Sequence, residues 1–245
     1  MRHGVKLSKK QCLKIDQELK RMSNIPYAPI VGSIQYAVQY TRPHVAYALS
    51  VMSRYQACAV EVHWNTVKTI LKYLKRTKDI FLIYGDGELI LKGYNDASFQ
   101  SDDDDAKSQS GFVFKLNCGV EVWNNSKEAT TADSTMEPEY IAAFEGGLDE
   151  KLHPRVGCGP SIAEPVVIFY DNNRVIAQAK EPRSHHRSKH ILRLHHLLRD
   201  MVSRCDCRMD QVSLAENTAD PLTKPMSQIS HTQHLDKIGL RSMDD

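Results

Sequence analysis

Val166, Val167, Ile168, Phe169 and Tyr170 are five consecutive apolar residues, and Asp171 closes the run. A strand with no polar alternation is buried on both faces, which requires strand neighbours and helices packed on each side. Three more strands precede it. Residues 89–99 alternate loosely through Tyr94, Asn95 and Asp96. Gly111 to Leu116 reads as a second strand, Asn117-Cys118-Gly119 as a turn, and Val120 to Trp123 as the start of a third. Ser134-Thr135 then caps a helix with Glu137 in its first turn and Tyr140, Ile141, Ala142, Ala143 and Phe144 inside. After the buried strand come a short helix following Asn173, a basic helix over 187–202, a last strand over 209–214, and a short final helix carrying Asp220 with Asn217 as its cap. The pattern predicts an α/β fold: a mixed five-stranded sheet flanked by helices.

Residues 1–80 read as mostly helical and set the first boundary. Ser23-Asn24 caps an apolar stretch over 25–40. Thr41-Arg42-Pro43 breaks it, with Pro43 opening the next helix. Val45, Ala46, Leu49 and Met52 form one stripe at helical spacing, and Trp64, Val67, Ile70, Leu71 and Leu74 form another. Lys68, Lys72, Lys75 and Arg76 lie opposite the second stripe. They are either a solvated face or a phosphate-facing surface.

With 41% hydrophobic and 25% charged residues in 245, the composition excludes wholesale disorder. No apolar run approaches the roughly 20 residues that span a bilayer, and the polar first residues do not read as a secretory signal. Six scattered cysteines form no CxxC pair, so they read as free thiols in a reducing compartment and not as a zinc site. The formal net charge of +2 is an average over opposed segments: basic stretches over 68–78 and 180–199, acids at Asp96 and over 102–105.

Four acids stand out by position. Asp96 lies on or at the end of the first strand, Glu139 in the first turns of the long helix, Asp171 at the end of the buried strand and Asp220 in the last helix. A carboxylate at the end of an apolar strand is costly unless compensated, and Mg²⁺ is a compensator that prefers carboxylate oxygen. Two such ions held roughly 4 Å apart can hydrolyse a phosphodiester. Spacing alone leaves Asp171 and Asp220 equally readable as helix caps.

Tyr94-Asn95-Asp96-Ala97-Ser98, Ser134-Thr135-Met136-Glu137-Pro138-Glu139-Tyr140, Tyr170-Asp171-Asn172, Arg187-Ser188-Lys189-His190-Ile191 and Glu216-Asn217-Thr218-Ala219-Asp220-Pro221-Leu222-Thr223-Lys224 closely resemble the ribonuclease H domain of copia-type LTR retrotransposon Pol polyproteins. Val31-Gly32-Ser33-Ile34-Gln35-Tyr36, Thr41-Arg42-Pro43 and His63-Trp64 through Leu71-Lys72-Tyr73-Leu74 resemble the end of the reverse transcriptase region upstream. The resemblance implies a ribonuclease H-like domain over 81–228, a reverse transcriptase remnant or tether over 1–80 and a tail over 229–245. It implies two-metal hydrolysis of the RNA strand of an RNA·DNA hybrid, with Mg²⁺ expected and Mn²⁺ as the substitute. The metal-binding and catalytic acids then fall on Asp96, Glu139, Asp171 and Asp220. Residues 146–160 depart from the family by breaking the helix that carries Glu139. Cys118 and Cys205 stand at turns where the family tends to have glycine. The acidic run over 102–105 lacks a strand-turn-strand setting and is rejected as a polymerase centre.

The same resemblance places Lys68, Lys72, Lys75, Arg187, Lys189, His190 and Arg193 on the nucleic-acid surface. A histidine metal site over 185–196 is set aside, because the family's metals take carboxylates. The implied partners are the hybrid and other Pol segments, without a membrane. The implied location is intracellular, in cytoplasmic virus-like particles or in the nucleus. A catalytically inactive remnant and a host-repurposed nucleic-acid-binding or interaction module stay open as alternatives at this point.

Overall fold

The computed structural model describes residues 7–12, 16–85, 90–102, 104–128, 138, 165–180, 196, 199–205 and 207–242. Four helices come first: α1 (Asp16–Ser23), α2 (Tyr27–Thr41), α3 (Ala46–Ser53) and α4 (Glu61–Arg76). Two strands of a small ribbon enclose the rest, β1 (Ile80–Leu82) and β7 (Leu240–Ser242), which pair antiparallel. Between them lie β2 (Leu91–Ser98), β3 (Gln109–Leu116), β4 (Gly119–Lys127), β5 (Val166–Tyr170), α5 (Asn173–Lys180), β6 (Cys207–Gln211), α6 (Asp220–Thr223) and α7 (Gln228–Ile238).

The main sheet has the order β4-β3-β2-β5-β6. The three earlier strands form an antiparallel meander, and β5 and β6 extend it in parallel beyond β2. A meander whose first strand is joined in parallel by the fourth is the ribonuclease H-like arrangement. The fully apolar β5 sits inside the sheet between β2 and β6, as its lack of alternation requires.

Side-chain alternation divides the sheet into two faces. Val113 of β3 joins Val31, Ile34 and Val38 of α2, Leu49 and Met52 of α3, Val67 and Ile70 of α4 and Leu222 of α6 in one buried cluster. Ile168 and Tyr170 pack with Val175, Cys207 and Met209 in a second. The first cluster makes the N-terminal helices and one sheet face parts of the same core. At ~25 cal/mol per Å² of apolar surface, such burial outweighs any single polar contact between them.

Several local expectations hold. Helix α2 ends at Thr41 and Pro43 sits at the start of the following single turn of 3₁₀ helix. Val45, Ala46, Leu49 and Met52 are all buried. Other expectations are corrected. Ser23 and Asn24 do not cap α2; both side chains donate to the Lys20 carbonyl and close α1 instead. Leu71 faces outward at 37% exposure, and His63 takes the inward place in the stripe with Val67 and Ile70. His63 Nδ1 also accepts the Val60 N–H at 3.1 Å, so it caps α4. At the β3–β4 turn the left-handed residue is Asn117, with φ 55°, and not Cys118. Cys205 does adopt positive φ, at 60°. Cys12 and Cys58 are joined in a disulfide with a Cα–Cα distance of 5.5 Å, which corrects the reading of six free thiols. Among the described residues, Cys118, Cys205 and Cys207 form no disulfide.

The helix carrying Asp220 is not the last. Helix α7 follows, started by Ser227 Oγ accepting the Ser230 N–H and ended by Gly239 at φ 88°. A Cβ at Gly239 would lie 2.6 Å from the Cys118 carbonyl oxygen, so only glycine permits this close approach. No described helix is long and apolar enough to cross a membrane. Of the helix expected from Ser134, only Pro138 is described, and it is helical and buried. The irregular 146–160 segment and most of the basic 187–202 helix lie outside the described residues.

Candidate metal centre

Register brings the first two acids together. Tyr94 of β2 is the parallel partner of Phe169 of β5, so two residues further on each strand Asp96 and Asp171 face one another. The third acid arrives on α6, which lies across β2 and β3. Gly111, the antiparallel partner of Asp96, makes that approach possible. A Cβ there would sit 3.0 Å from Leu222 Cβ and from Thr223 Cγ2. Asn217 fixes the entry to α6. Its Nδ2 donates to the Asn95 carbonyl at 2.8 Å, and its Oδ1 accepts the Ala219 N–H at 3.1 Å. Asn217 is therefore not the cap that the sequence suggests: Ala219 holds that place without a side-chain cap, and Asn217 shapes the turn before it and ties the entry of α6 to β2.

The result is a triad. One carboxylate oxygen from each of Asp96, Asp171 and Asp220 lies within 4.8 Å of the other two. Asp96 and Asp220 are buried, while Asp171 is half-buried. Thr223 Oγ1 donates to Asp96 Oδ2. Lys224 Nζ lies 2.9 Å from Asp220 Oδ1 and 3.9 Å from Asp96 Oδ1. Burial raises the pKa of all three carboxyls. Repulsion from Asp220 adds to the effect at Asp96, repulsion from Asp96 adds at Asp171, and repulsion from Asp171 adds at Asp220. Burial alone would lower the Lys224 ammonium, but the attraction of Asp96, Asp220 and Asp171 outweighs it and leaves the pKa raised.

Among the described residues, the set is three converging carboxylates without a nitrogen or sulfur donor, which suits a hard divalent cation. Of the four expected acids, the structure brings together Asp96, Asp171 and Asp220; Glu139 lies outside the described residues. A cleft between α2, α3 and β4, lined by Gln35, Gln39, Ser50, Trp123 and Asn125 among others, contains none of these acids. Lys72 and Lys75 are exposed on α4, and Lys68 Nζ lies over the Trp64 ring at 5.8 Å. Arg187, Lys189, His190 and Arg193 lie outside the described residues. Thr223 and Lys224 were not singled out as site residues, although both stand in the Asp220-Pro221-Leu222-Thr223-Lys224 motif. Their proximity to Asp220 along the chain was the available signal.

The chain is 35% identical over 242 residues, 97% of its length, to the retrovirus-related Pol polyprotein from transposon TNT 1-94 of Nicotiana tabacum. It is 34% identical over 218 residues, 87% of its length, to the corresponding polyprotein from transposon RE2 of Arabidopsis thaliana. Its homologues are thus retrovirus-related Pol polyproteins from copia-type transposons, at 33–35% identity over most of the chain. It spans 18% and 15% of the length of these two relatives, so it corresponds to one part of each. No protein-family model matches the chain. Among solved structures, it is similar to the N-terminal ribonuclease H domain of rv2228c from Mycobacterium tuberculosis, with 16% identity and a TM-score of 0.41 over 56% of this chain and 91% of that one.

Proposed function

We propose that this Pol segment hydrolyses the RNA strand of RNA·DNA hybrids with divalent metal ions, Mg²⁺ or Mn²⁺, held by Asp96, Asp171, Asp220 and Glu139. The observation that supports this most is the convergence of three carboxylates from β2, the end of β5 and α6 within 4.8 Å. Two bound ions would supply an activated water and stabilise the leaving oxygen of the phosphodiester. The protein's own part is to hold the carboxylates charged and oriented. Thr223 fixes the rotamer of Asp96 through Oδ2, and Asn217 fixes α6 against β2. In the same reading, residues 1–80 derive from the end of the reverse transcriptase, 81–228 form the nuclease domain and 229–245 follow it. Lys68, Lys72 and Lys75, with Arg187, Lys189, His190 and Arg193, contact the phosphate backbone of the hybrid.

The test is cleavage of an end-labelled RNA·DNA hybrid by the purified chain. Cleavage is expected with Mg²⁺ or Mn²⁺ and not in EDTA. Asp171→Asn is expected to lower the rate by on the order of a thousandfold without lowering the melting temperature in EDTA. An intact hybrid under all metal conditions, or an Asp171→Asn protein as active as the parent, rejects the reading.

A further inference from the structure

The ammonium of Lys224 lies against two of the three triad carboxylates. Thr223 occupies Asp96 Oδ2, which leaves Oδ1 as the oxygen that faces Lys224 Nζ at 3.9 Å. Asp220 Oδ1 is shielded from solvent, accepts no other hydrogen bond and faces the same Nζ at 2.9 Å. Both oxygens that one cation would take are thus turned toward another.

Helix α6 ends at Thr223, so the Lys224 side chain folds back over a single turn to reach Asp220. Its side chain keeps 31% exposure against 5% for the side chains of Asp96 and Asp220. The ammonium can therefore swing into solvent without disturbing the core, while the carboxylates cannot. Among the described residues, Lys224 is the basic side chain that ion-pairs with Asp96 and Asp220.

We propose that Lys224 is a resident counter-cation. It holds Asp96 and Asp220 together when metal is absent and competes with a divalent ion for them, so metal entry requires the ammonium to leave. The proposal rests on the metal-binding reading of the triad. In this role Lys224 is a positioning residue, acting on the acids and not on substrate. Its consequence is that the metal-free protein keeps a formed site instead of three mutually repelling carboxylates, at the expense of affinity for the first ion.

The test is calorimetric titration of the full chain with Mg²⁺ or Mn²⁺ alone, combined with thermal melts in EDTA and in saturating metal. Lys224→Met is expected to bind metal on the order of tenfold more tightly, because a unit positive charge at contact distance is gone. It is also expected to melt lower in EDTA and to gain more from metal than the parent does. Lys224→Arg keeps the charge and a carboxylate-matched fork, and is expected to bind metal no more tightly than the parent. If Asp171→Asn removes metal binding from the parent but Lys224→Met binds with equal or lower affinity, the counter-cation role is overturned and the metal site stands. If neither the parent nor Lys224→Met binds metal, the metal reading itself fails and the counter-cation role with it. Should Lys224→Met not fold, tighter metal binding by Lys224→Arg overturns the proposal, and equal or weaker binding upholds it.

Discussion

Two groups of aspartates stand at the same end of the main sheet, and they have opposite electrostatics. In the first, Asp96, Asp171 and Asp220 share one ammonium, and burial raises all three carboxyls. In the second, Asp102 Oδ2 meets both the Arg54 guanidinium and the Lys127 ammonium, while Oδ1 accepts the Asp104 N–H at 2.8 Å. Burial would raise Asp102 as well, but the hydrogen bonds from Lys127 and Asp104 and the charge of Arg54 outweigh it and hold the pKa low. Asp104 takes Ser8 Oγ at 2.6 Å and the Lys9 N–H at 2.9 Å, and Asp105 shares Lys127. The second group is thus saturated with partners and clasps α3 and the turn Lys9–Gln11 to the sheet. Among the described residues, the first group has one ammonium for three carboxylates. An under-compensated cluster beside a compensated one is a pattern usual at functional sites and unhelpful to stability.

The largest effect that would break this contrast is on stability. Asp102→Ala leaves Arg54 and Lys127 without their shared acceptor, in a setting where their side chains are 15% and 22% exposed. Loss of about 3 kcal/mol is expected in urea unfolding, as for removal of one partner of a buried pair. If Asp102→Ala unfolds at the same urea concentration as the parent, the clasp is ornamental and the contrast collapses.

A smaller effect is expected at Gly111. An alanine Cβ would meet Leu222 and Thr223 at 3.0 Å, so α6 must shift outward, carrying Asp220 and the Thr223 hydroxyl with it. Gly111→Ala is expected to cost about 1–3 kcal/mol and to weaken Mg²⁺ binding in calorimetry, with the Asp102 clasp unaffected. Unchanged metal affinity would show that the triad tolerates movement of α6.

The sheet was legible in the sequence because each strand carries its own local signal: the unbroken apolar β5, the glycine-bounded β3 and the Asn117-Cys118-Gly119 turn. The triad was legible for a different reason. Its acids sit at element ends that strand order alone brings together, and the motifs around Asp96, Asp171 and Asp220 are specific. The clasp was not legible. An acidic run has no periodicity to place it, and the partners of Asp102 lie 48 and 25 residues away along the chain. Only the packing of α3 against β4 makes them neighbours. Leu71 was misplaced for a related reason: helical spacing gives a stripe, but the rotation of α4 against the core decides which residue at the stripe's edge is turned inward, and that residue is His63. The disulfide was equally hidden, because Cys12 and Cys58 meet only through the folding of the N-terminal helices.

Asp171→Asn separates the two groups by sign. Replacing one repelling carboxylate with a neutral isostere is expected to stabilise the metal-free protein by about 1 kcal/mol, measured by urea unfolding in EDTA, whereas the same change at Asp102 destabilises. A destabilised Asp171→Asn protein would mean that Lys224 already compensates the triad in full.

The smallest and most discriminating effect is in pH. The triad's folded pKa values are raised above the ordinary 3.8, so the folded state binds protons more tightly than the unfolded chain. Its contribution to metal-free stability therefore grows as pH falls from neutral toward that value, and is lost as pH rises through the raised values. Asp102 is depressed below 3.8, so its contribution is complete above that value and is lost as pH falls through the depressed one. In EDTA, the stability gap between parent and Asp171→Asn should close as pH falls from neutral toward 4, whereas the gap between parent and Asp102→Asn should stay constant over that range and close only below it. Saturating Mg²⁺ should reverse the first trend, because the ion binds the charged carboxylates and is displaced by protons. A triad gap that ignores both pH and Mg²⁺ would place Asp96, Asp171 and Asp220 with the clasp, as structural acids already satisfied by their neighbours.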